Sequence, residues 1–498
     1  MKNFKIYAMG LAMAGALSFT SCADDYLDTA PTDAVSNVTI AQDMESLYLG
    51  LNGIHRQMIS QESGYQCMGG LGGQMYIMDI MADDITWLTN TWMKAAYLGW
   101  QCNTNESNGY NTVFWRLYYQ WIMNANGLLE VLENTDVAAL SGADKALYEQ
   151  IKGEALMFRA FSHFQAVQTY ADAYKAGGGN SQPGIPDRTV ENRTGELARS
   201  TVEETYALIN ADLAEACSML EGKNITALNH WSAKSAYAIR ARVAMAMHDY
   251  AAAANYAEKS IQLAEAEGGK LMDASNLYNG FADITSTTKE PLYAAMTQDD
   301  QTIYFYSFYA YMSWNFSATA IRQGVKAINA DTYDLMSETD LRRAWWDPTG
   351  EMDVPLTTFK KTPYQNRKFT ARSVSNAVGD VAFLRLSEMY LTAAEAYARG
   401  GNTAKAQEIF TKFQITRDPA YAGGGDLIEE IMTSRRIELW AEGLRYFDLK
   451  RLNLPIKRGR NFDQTFCTFL EKEAGADGWT WEIPKIETDN NPLCEKNY

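Results

Sequence analysis

The chain has 498 residues and carries 44 Lys and Arg against 61 Asp and Glu, a net charge of −17. A chain this acidic repels phosphate backbones, which excludes nucleic acid as a partner. Its 29 Tyr and 12 Trp are more than a polar surface needs, so most must fill a core, while some are available to stack against a flat polar ligand.

Met1, Lys2 and Lys5 precede an apolar run from Ile6 to Leu17, and the small residues Ser18, Thr20 and Ser21 stand before Cys22. This order reads as a secretory signal peptide over residues 1–21, too short to span a bilayer. Cleavage there would leave Cys22 as the new N-terminus, so Cys22 is expected to be acylated. Phe19 stands where the common bacterial lipobox has Leu. Removing residues 1–21, which hold two lysines and no acid, takes the net charge to −19. One acyl chain anchors only marginally, each buried methylene contributing ~0.8 kcal/mol, so firm attachment needs the several chains of a bacterial lipoprotein. No later segment approaches the roughly 18 consecutive apolar residues of a transmembrane helix.

Five further cysteines, Cys67, Cys102, Cys217, Cys467 and Cys494, show neither CxxC nor zinc spacing. One bridge, from Cys467 to Cys494, suits an oxidising exterior.

From Ala41 onward apolar residues recur three and four apart, and alternating β-branched runs are scarce, which predicts a mostly α-helical protein. Phe114, Leu117, Trp121, Leu128 and Leu132 place a helix over Thr112 to Asn134, and a second follows from Ser141 to Tyr170. So short a connection requires the two to pack antiparallel. GGGNSQPGIP, from Gly177 to Pro186, cannot continue a helix. Ser200 and Glu203 have the capping-box form ahead of a helix from Thr201 to Leu220. Two later segments share one pattern. Ala241, Ala244, Ala253 and Ala257 bracket a turn at Asp249 and Tyr250, and Ala394, Tyr397, Ala406 and Phe410 bracket a turn at Gly401 and Asn402. These small and aromatic positions match a tetratricopeptide helix hairpin, so a right-handed α-helical superhelix is expected, with repeats at about 229–264 and 382–413. Between them, over about 268–379, periodicity gives way to aromatics, prolines and polar residues, read as irregular insertions mounted on the scaffold.

The chain resembles the RagB/SusD family, the nutrient-binding lipoproteins of Bacteroidetes, over nearly all its mature length. CADDYLDTAP follows the expected cleavage site. Trp115, Tyr119, Ile122 and Asn126 form a W-x3-Y-x2-I-x3-N helix, and Gly153, Glu154, Ala155, Arg159, Ala160 and Phe164 an EA-then-RA helix. Arg435, Arg436, Glu438, Leu439, Glu442, Gly443, Arg445, Asp448, Leu449 and Arg451 follow R-R-x-E-L-x-x-E-G-x-R-x-x-D-L-x-R, and IPKIETDNNP closes the chain. Ser434 departs from the Glu that the family commonly carries. The resemblance implies one SusD-like domain over 22–498, an outer-membrane location facing the exterior, and glycan delivery to a SusC-like TonB-dependent transporter. The charged residues read as scaffold: Glu438, Glu442 and Arg445, four and three apart on one helix, pair with one another and with helices behind them, and Arg159 with Glu154 likewise.

No catalytic motif appears. His55, His163, His230 and His248 form no close metal pair, and the run Gly69 to Gly73 lacks the Lys-Ser or Lys-Thr of a phosphate loop. No G-x-S-x-G elbow is present. No cofactor is expected, with a structural calcium ion in an acidic loop left open. An α/α-toroid glycosidase or lyase and a peptide-binding relative are the competing readings.

Sugar binding needs a flat aromatic face with amides, carboxylates or guanidinium groups beside it. One such mixture runs from Asp83 through Trp87, Trp92, Tyr97 and Trp100 to Asn111. Trp87 and Trp92 stand roughly 140° apart on a helix, so at least one is expected to be exposed. The other runs from Tyr304 to Arg322. The resemblance places ligand-contacting aromatics in loops of these two regions, which points to Trp92 and Trp314, with Trp87 and Tyr311 behind them; Trp100 and Arg322 complete the candidate set. Trp345 and Trp346 are expected in the core.

Overall fold

The computed structural model describes residues 43–61, 64, 68–87, 97–298, 307–465 and 467–498. Cys22, the expected lipid acceptor, and Trp92 lie outside the described residues.

Helix α1 (Met44–Gln57) starts where the Asp43 carboxylate accepts from the Ser46 amide. Helix α2 (Gly70–Met81) is buried along its whole length. It opens at Gly70, whose φ of +56° and contact with the Met58 carbonyl leave no room for a Cβ. The run Gly69 to Gly73 therefore begins a core helix. Strand β1 (Ile85–Trp87) follows. Helices α3 (Gly109–Glu133), α4 (Gly142–Tyr170) and α5 (Val202–Leu220) then stack with α4 in the middle. Gly153 lies so close to Leu220 that a Cβ would fall 2.8 Å from its Cγ, which lets α4 and the end of α5 approach. The capping box of α5 sits one residue later than its sequence form suggests: Glu204 and Thr201 exchange the two bonds, at 2.8 and 3.2 Å. Glu203 is left to accept from the Tyr174 hydroxyl and the Asn180 amide.

Helices α6 (Ala233–Ala246) and α7 (Tyr250–Ala266) form one hairpin. Strands β2 (Pro291–Ala295) and β3 (Lys326–Ile328), with short helix α8 (Phe308–Met312) between them, lead to β4 (Trp346–Asp347), β5 (Gln365–Asn366) and β6 (Val381–Arg385). The second hairpin, α9 (Leu386–Arg399) and α10 (Thr403–Gln414), comes next. In both hairpins a turn residue serves as the N-cap of the second helix, Asp249 for α7 and Asn402 for α10. Ala244, Ala253, Ala254 and Ala396 form a small core where α7 packs on α9, the close approach that small side chains permit. Strand β1 joins inserted strands in an antiparallel sheet of order β1-β3-β5-β4, and β2 pairs with β6. The architecture is a mostly α-helical superhelix, as the periodicity predicts.

Helix α11 (Leu427–Glu438) and helix α12 (Arg445–Arg451) correct the signature reading. Ala441, at φ 66°, and Gly443, at φ 81°, break the helix between them, so Glu438, Glu442 and Arg445 do not share one helix and do not pair with one another. Glu438 instead accepts from Arg342, Arg385 and Arg417, at 3.0–3.3 Å. Glu442 takes Arg385 and Lys368, at 2.6 and 2.7 Å, and Arg445 takes Asp83, at 2.8 Å. With Asp340 and Glu290 this makes a buried knot of Arg342, Arg385, Arg417 and Lys368 against Asp340, Glu290, Glu438 and Glu442. Burial alone would raise the Glu438 pKa, but the Arg417, Arg385 and Arg342 guanidiniums hold it well below the usual carboxylate range. Arg159 pairs with Asp212, at 2.7 Å, rather than with Glu154.

The C-terminal residues return to the first helices. The Trp481 amide donates to the Thr169 carbonyl, the Glu482 amide to the Asn103 carbonyl, and the Asn111 side chain to the Glu482 carbonyl, all within 2.9 Å. Asn497 donates to the Tyr170 and Trp481 carbonyls. Cys467 and Cys494 are both buried thiols that no disulfide joins, which corrects the bridge suggested by their compartment.

Candidate ligand site

Three of the aromatics proposed from sequence lie inside the protein. Trp87 is on a strand, not a helix, and its register sets it opposite Lys326 of β3. The Lys326 ammonium sits 4.4 Å from the Trp87 ring and 5.8 Å from that of Tyr311, and it donates to the Ala320 carbonyl at 2.6 Å. Burial pushes Lys326 down to about 7, while the electron-rich Trp87 face favours its charged form. Gly324 is required beside them, since a Cβ would lie 2.7 Å from Trp87 Nε1. Tyr311, on α8, stacks on Tyr76 with centroids 5.5 Å apart. Trp100, whose φ is 55°, donates to the Met81 carbonyl and packs edge-on against Phe469 and Trp479. Trp87, Tyr311 and Trp100 are 1–4% exposed, so they are walls without an open ring face, and the exposure argued for Trp87 or Trp92 from helical spacing does not apply to Trp87. Trp345 and Trp346 are buried, as expected of core.

Trp314 and Arg322 are the described candidates that reach the surface, each half-buried. The segment that carries them is fixed by backbone. The Trp314 amide donates to the Phe369 carbonyl, at 3.1 Å, and its indole N–H to the Thr370 hydroxyl, at 2.9 Å. Asn315 and Ala371 exchange two hydrogen bonds, at 2.8 and 2.9 Å, and the Ser317 amide donates to the Val374 carbonyl. The Arg322 carbonyl accepts from the Lys360 amide, while Arg322 Nε has no hydrogen-bond partner. The result is a rigid edge that presents an indole and a guanidinium, with the Lys326 aromatic stack behind it. Lys326 and Gly324 were missed from sequence; a lone lysine in the apolar stretch GVKAI was the available signal.

The histidine reading also needs correction. His55 of α1, Glu154 of α4 and His230 come together with donor atoms within 4.8 Å of one another, close enough to hold one metal ion. The separations are those of hydrogen bonds: 2.6 Å from His55 Nε2 and 3.0 Å from His230 Nδ1 to Glu154 Oε2, which also accepts from the Trp231 amide. The other ring nitrogens meet the Tyr293 and Tyr48 hydroxyls, at 3.0 and 3.3 Å. Burial favours protonation of Glu154, but the bonds from His230 and His55 outweigh it and hold the pKa at about 2; burial lowers the pKa of His55. The cluster closes without an ion and staples α1, α4 and the approach to α6. Chain positions so far apart gave no spacing by which to find it.

The scaffold is built of helical hairpins, with short strands and loops inserted between them. A family model described as "Starch-binding associating with outer membrane" matches residues 25–245, and one described as "SusD family" matches residues 268–498. The chain belongs to the SusD/RagB family. A SusD-like carbohydrate binding protein from Bacteroides vulgatus aligns with 91% of this chain and 97% of its own, at a TM-score of 0.77 and 21% identity. For a SusD superfamily protein from Bacteroides thetaiotaomicron the figures are 92%, 100%, 0.78 and 21%. Surface glycan-binding protein A from Bacteroides fluxus gives 90%, 96%, 0.68 and 17%. At these identities the solved structures establish the fold. No curated protein matches the chain.

Proposed function

We propose that this chain is a lipid-anchored surface protein that binds oligosaccharide and passes it, chemically unaltered, to a SusC-like TonB-dependent transporter in the outer membrane. The observation that carries the reading is the braced Trp314–Arg322 edge: an indole for the C–H face of a pyranose and a guanidinium for its hydroxyls, on backbone held by hydrogen bonds to 369–374. Membership of a family whose model is described as starch-binding and associated with the outer membrane supports both ligand class and location. Among the described residues no helix is long and apolar enough to cross a membrane, which is compatible with attachment through Cys22. Trp92 is the second proposed ring, and the helical hairpins supply the surface for the transporter.

The test is a binding screen across glycans and peptides, repeated with Trp314→Ala and Trp92→Ala, with reducing ends assayed after incubation. Glycan affinity is expected to fall about tenfold in Trp314→Ala, with no new reducing ends. Unaltered affinity in both variants, a preference for peptides, or cleaved sugar would each overturn the reading. Isolation of the tagged chain from native envelopes should co-purify a β-barrel transporter.

A further inference from the structure

A cavity of about 830 Å³ opens where the ends of several elements meet, and none of its lining residues belongs to the Trp314 edge. The space beside Trp314 is about 10 Å³. The larger volume falls within the ~300–1,000 Å³ typical of small-ligand sites. Its walls come from the loop after α4, the α6–α7 turn, the end of α9, the end of α12 and the turn at 474–480, closed by Tyr498.

Exposed apolar and polar side chains line it together. His248, at φ 61°, and Asn453, at φ 51°, line the cavity as the left-handed residues that end α6 and α12, so two helix C-termini open onto it. Arg451 binds Asp448 and Glu395 through Nε and Nη2, at 2.7–2.9 Å, which fixes it as part of the wall. The Tyr498 hydroxyl is engaged by the Thr480 carbonyl, so it is the ring, on a residue 59% exposed, that faces outward; Leu454 lies exposed on the same cleft.

The charges argue against an anionic ligand. Glu395 and Asp448 neutralise Arg399 and Arg451. Lys450 spends its ammonium on the Gln168 and Ala171 carbonyls at the end of α4, and burial pushes it down to about 7. Lys175 then faces Asp172 and Asp477, with no positive excess. We infer that this cleft is a second carbohydrate site, which holds a short neutral oligosaccharide with Tyr498 and Leu454 against the ring faces and the exposed Asp172, Lys175, Asn453 and Asp477 beside its hydroxyls. It rests on the carbohydrate reading above and adds a separate place of attachment.

Hydrogen–deuterium exchange of the full chain with maltotriose, cellotriose, xylotriose and mannotriose, each at millimolar concentration, tests it. At least one triose is expected to slow exchange at 172–176, 449–454 and 474–480. The effect should persist in Trp314→Ala and require about tenfold more sugar in Tyr498→Ala and in Ala176→Arg, which places a long side chain at an exposed cleft position. Protection confined to 313–322 would overturn the second site and leave the Trp314 reading standing, whereas protection of the cleft alone would do the reverse. Cleft protection undiminished in both cleft variants, or none with any triose, would also overturn it.

Discussion

Glu438→Gln removes one charge from the centre of the buried knot without changing its volume. It would leave Arg342, Arg385, Arg417 and Lys368 facing only Asp340, Glu290 and Glu442, so one cation goes uncompensated among groups at most about a tenth exposed. Removing one partner of a buried pair costs ~3–5 kcal/mol. Each arginine keeps another carboxylate, Arg342 with Asp340, Arg385 with Glu290 and Glu442, and Arg417 with Glu290, which places the expected loss at the lower end, about 3 kcal/mol. Urea unfolding at neutral pH, followed by tryptophan fluorescence, measures it, since Trp345, Trp346 and Trp440 are buried nearby. Arg460→Ala, which breaks an exposed pair with Asp331 and Asp334, should leave the unfolding midpoint in place and serves as the control. A loss below about 1 kcal/mol for Glu438→Gln, the range of exposed pairs, would refute the claim that the knot braces the fold.

Three further outcomes are expected. The folded-state pKa of Glu154 lies at about 2, below the ordinary 4.5, so its stabilisation is full above pH 4.5 and fades as pH falls toward 2; it amounts to about 3 kcal/mol. Between pH 4.5 and 3 the parent should therefore lose more stability in urea than Glu154→Gln, and equal losses would refute the assignment. Gly443→Ala should lower the melting temperature, because φ is +81° and the new Cβ would lie 2.7 Å from the Met75 Cα; strain of this kind costs about 1–3 kcal/mol, and an unchanged melting temperature would contradict it. Cys467 and Cys494 should resist iodoacetamide until the chain unfolds, and burial pushes the Cys494 thiol up to about 12. Peptide mapping that finds the two joined would show the correction to be mistaken.

Elements that depend on local pattern could be read from the sequence, because a helix's apolar stripe and its cap are set by neighbours in the chain. The hairpins around Asp249 and Asn402 are examples, with turn residues that act as caps where the repeat placed its turns. The capping box slipped by one because Ser200–Glu203 and Thr201–Glu204 satisfy the same spacing, and only Tyr174 and Asn180, which hold Glu203, decide between them. Partners brought from afar were not legible: periodicity continues through Ala441, whose left-handed backbone ends the helix, and nothing near Glu154 announces His55 or His230. Aromatic composition marked two candidate regions but not which of the described rings lie inside. Trp87 and Trp314 look equivalent in sequence, and cross-strand pairing with Lys326 is what places the first inside.

The bonds from Trp481, Glu482 and Asn497 to Asn103, Thr169 and Tyr170 tie residues 481–497 to the helical layer of α3 and α4. Pairings across so much sequence form late and slowly. The N-terminal half cannot be finished until residues 481–497 have been made, so a product truncated before them would leave the helices around α3 and α4 unsealed and open to proteases.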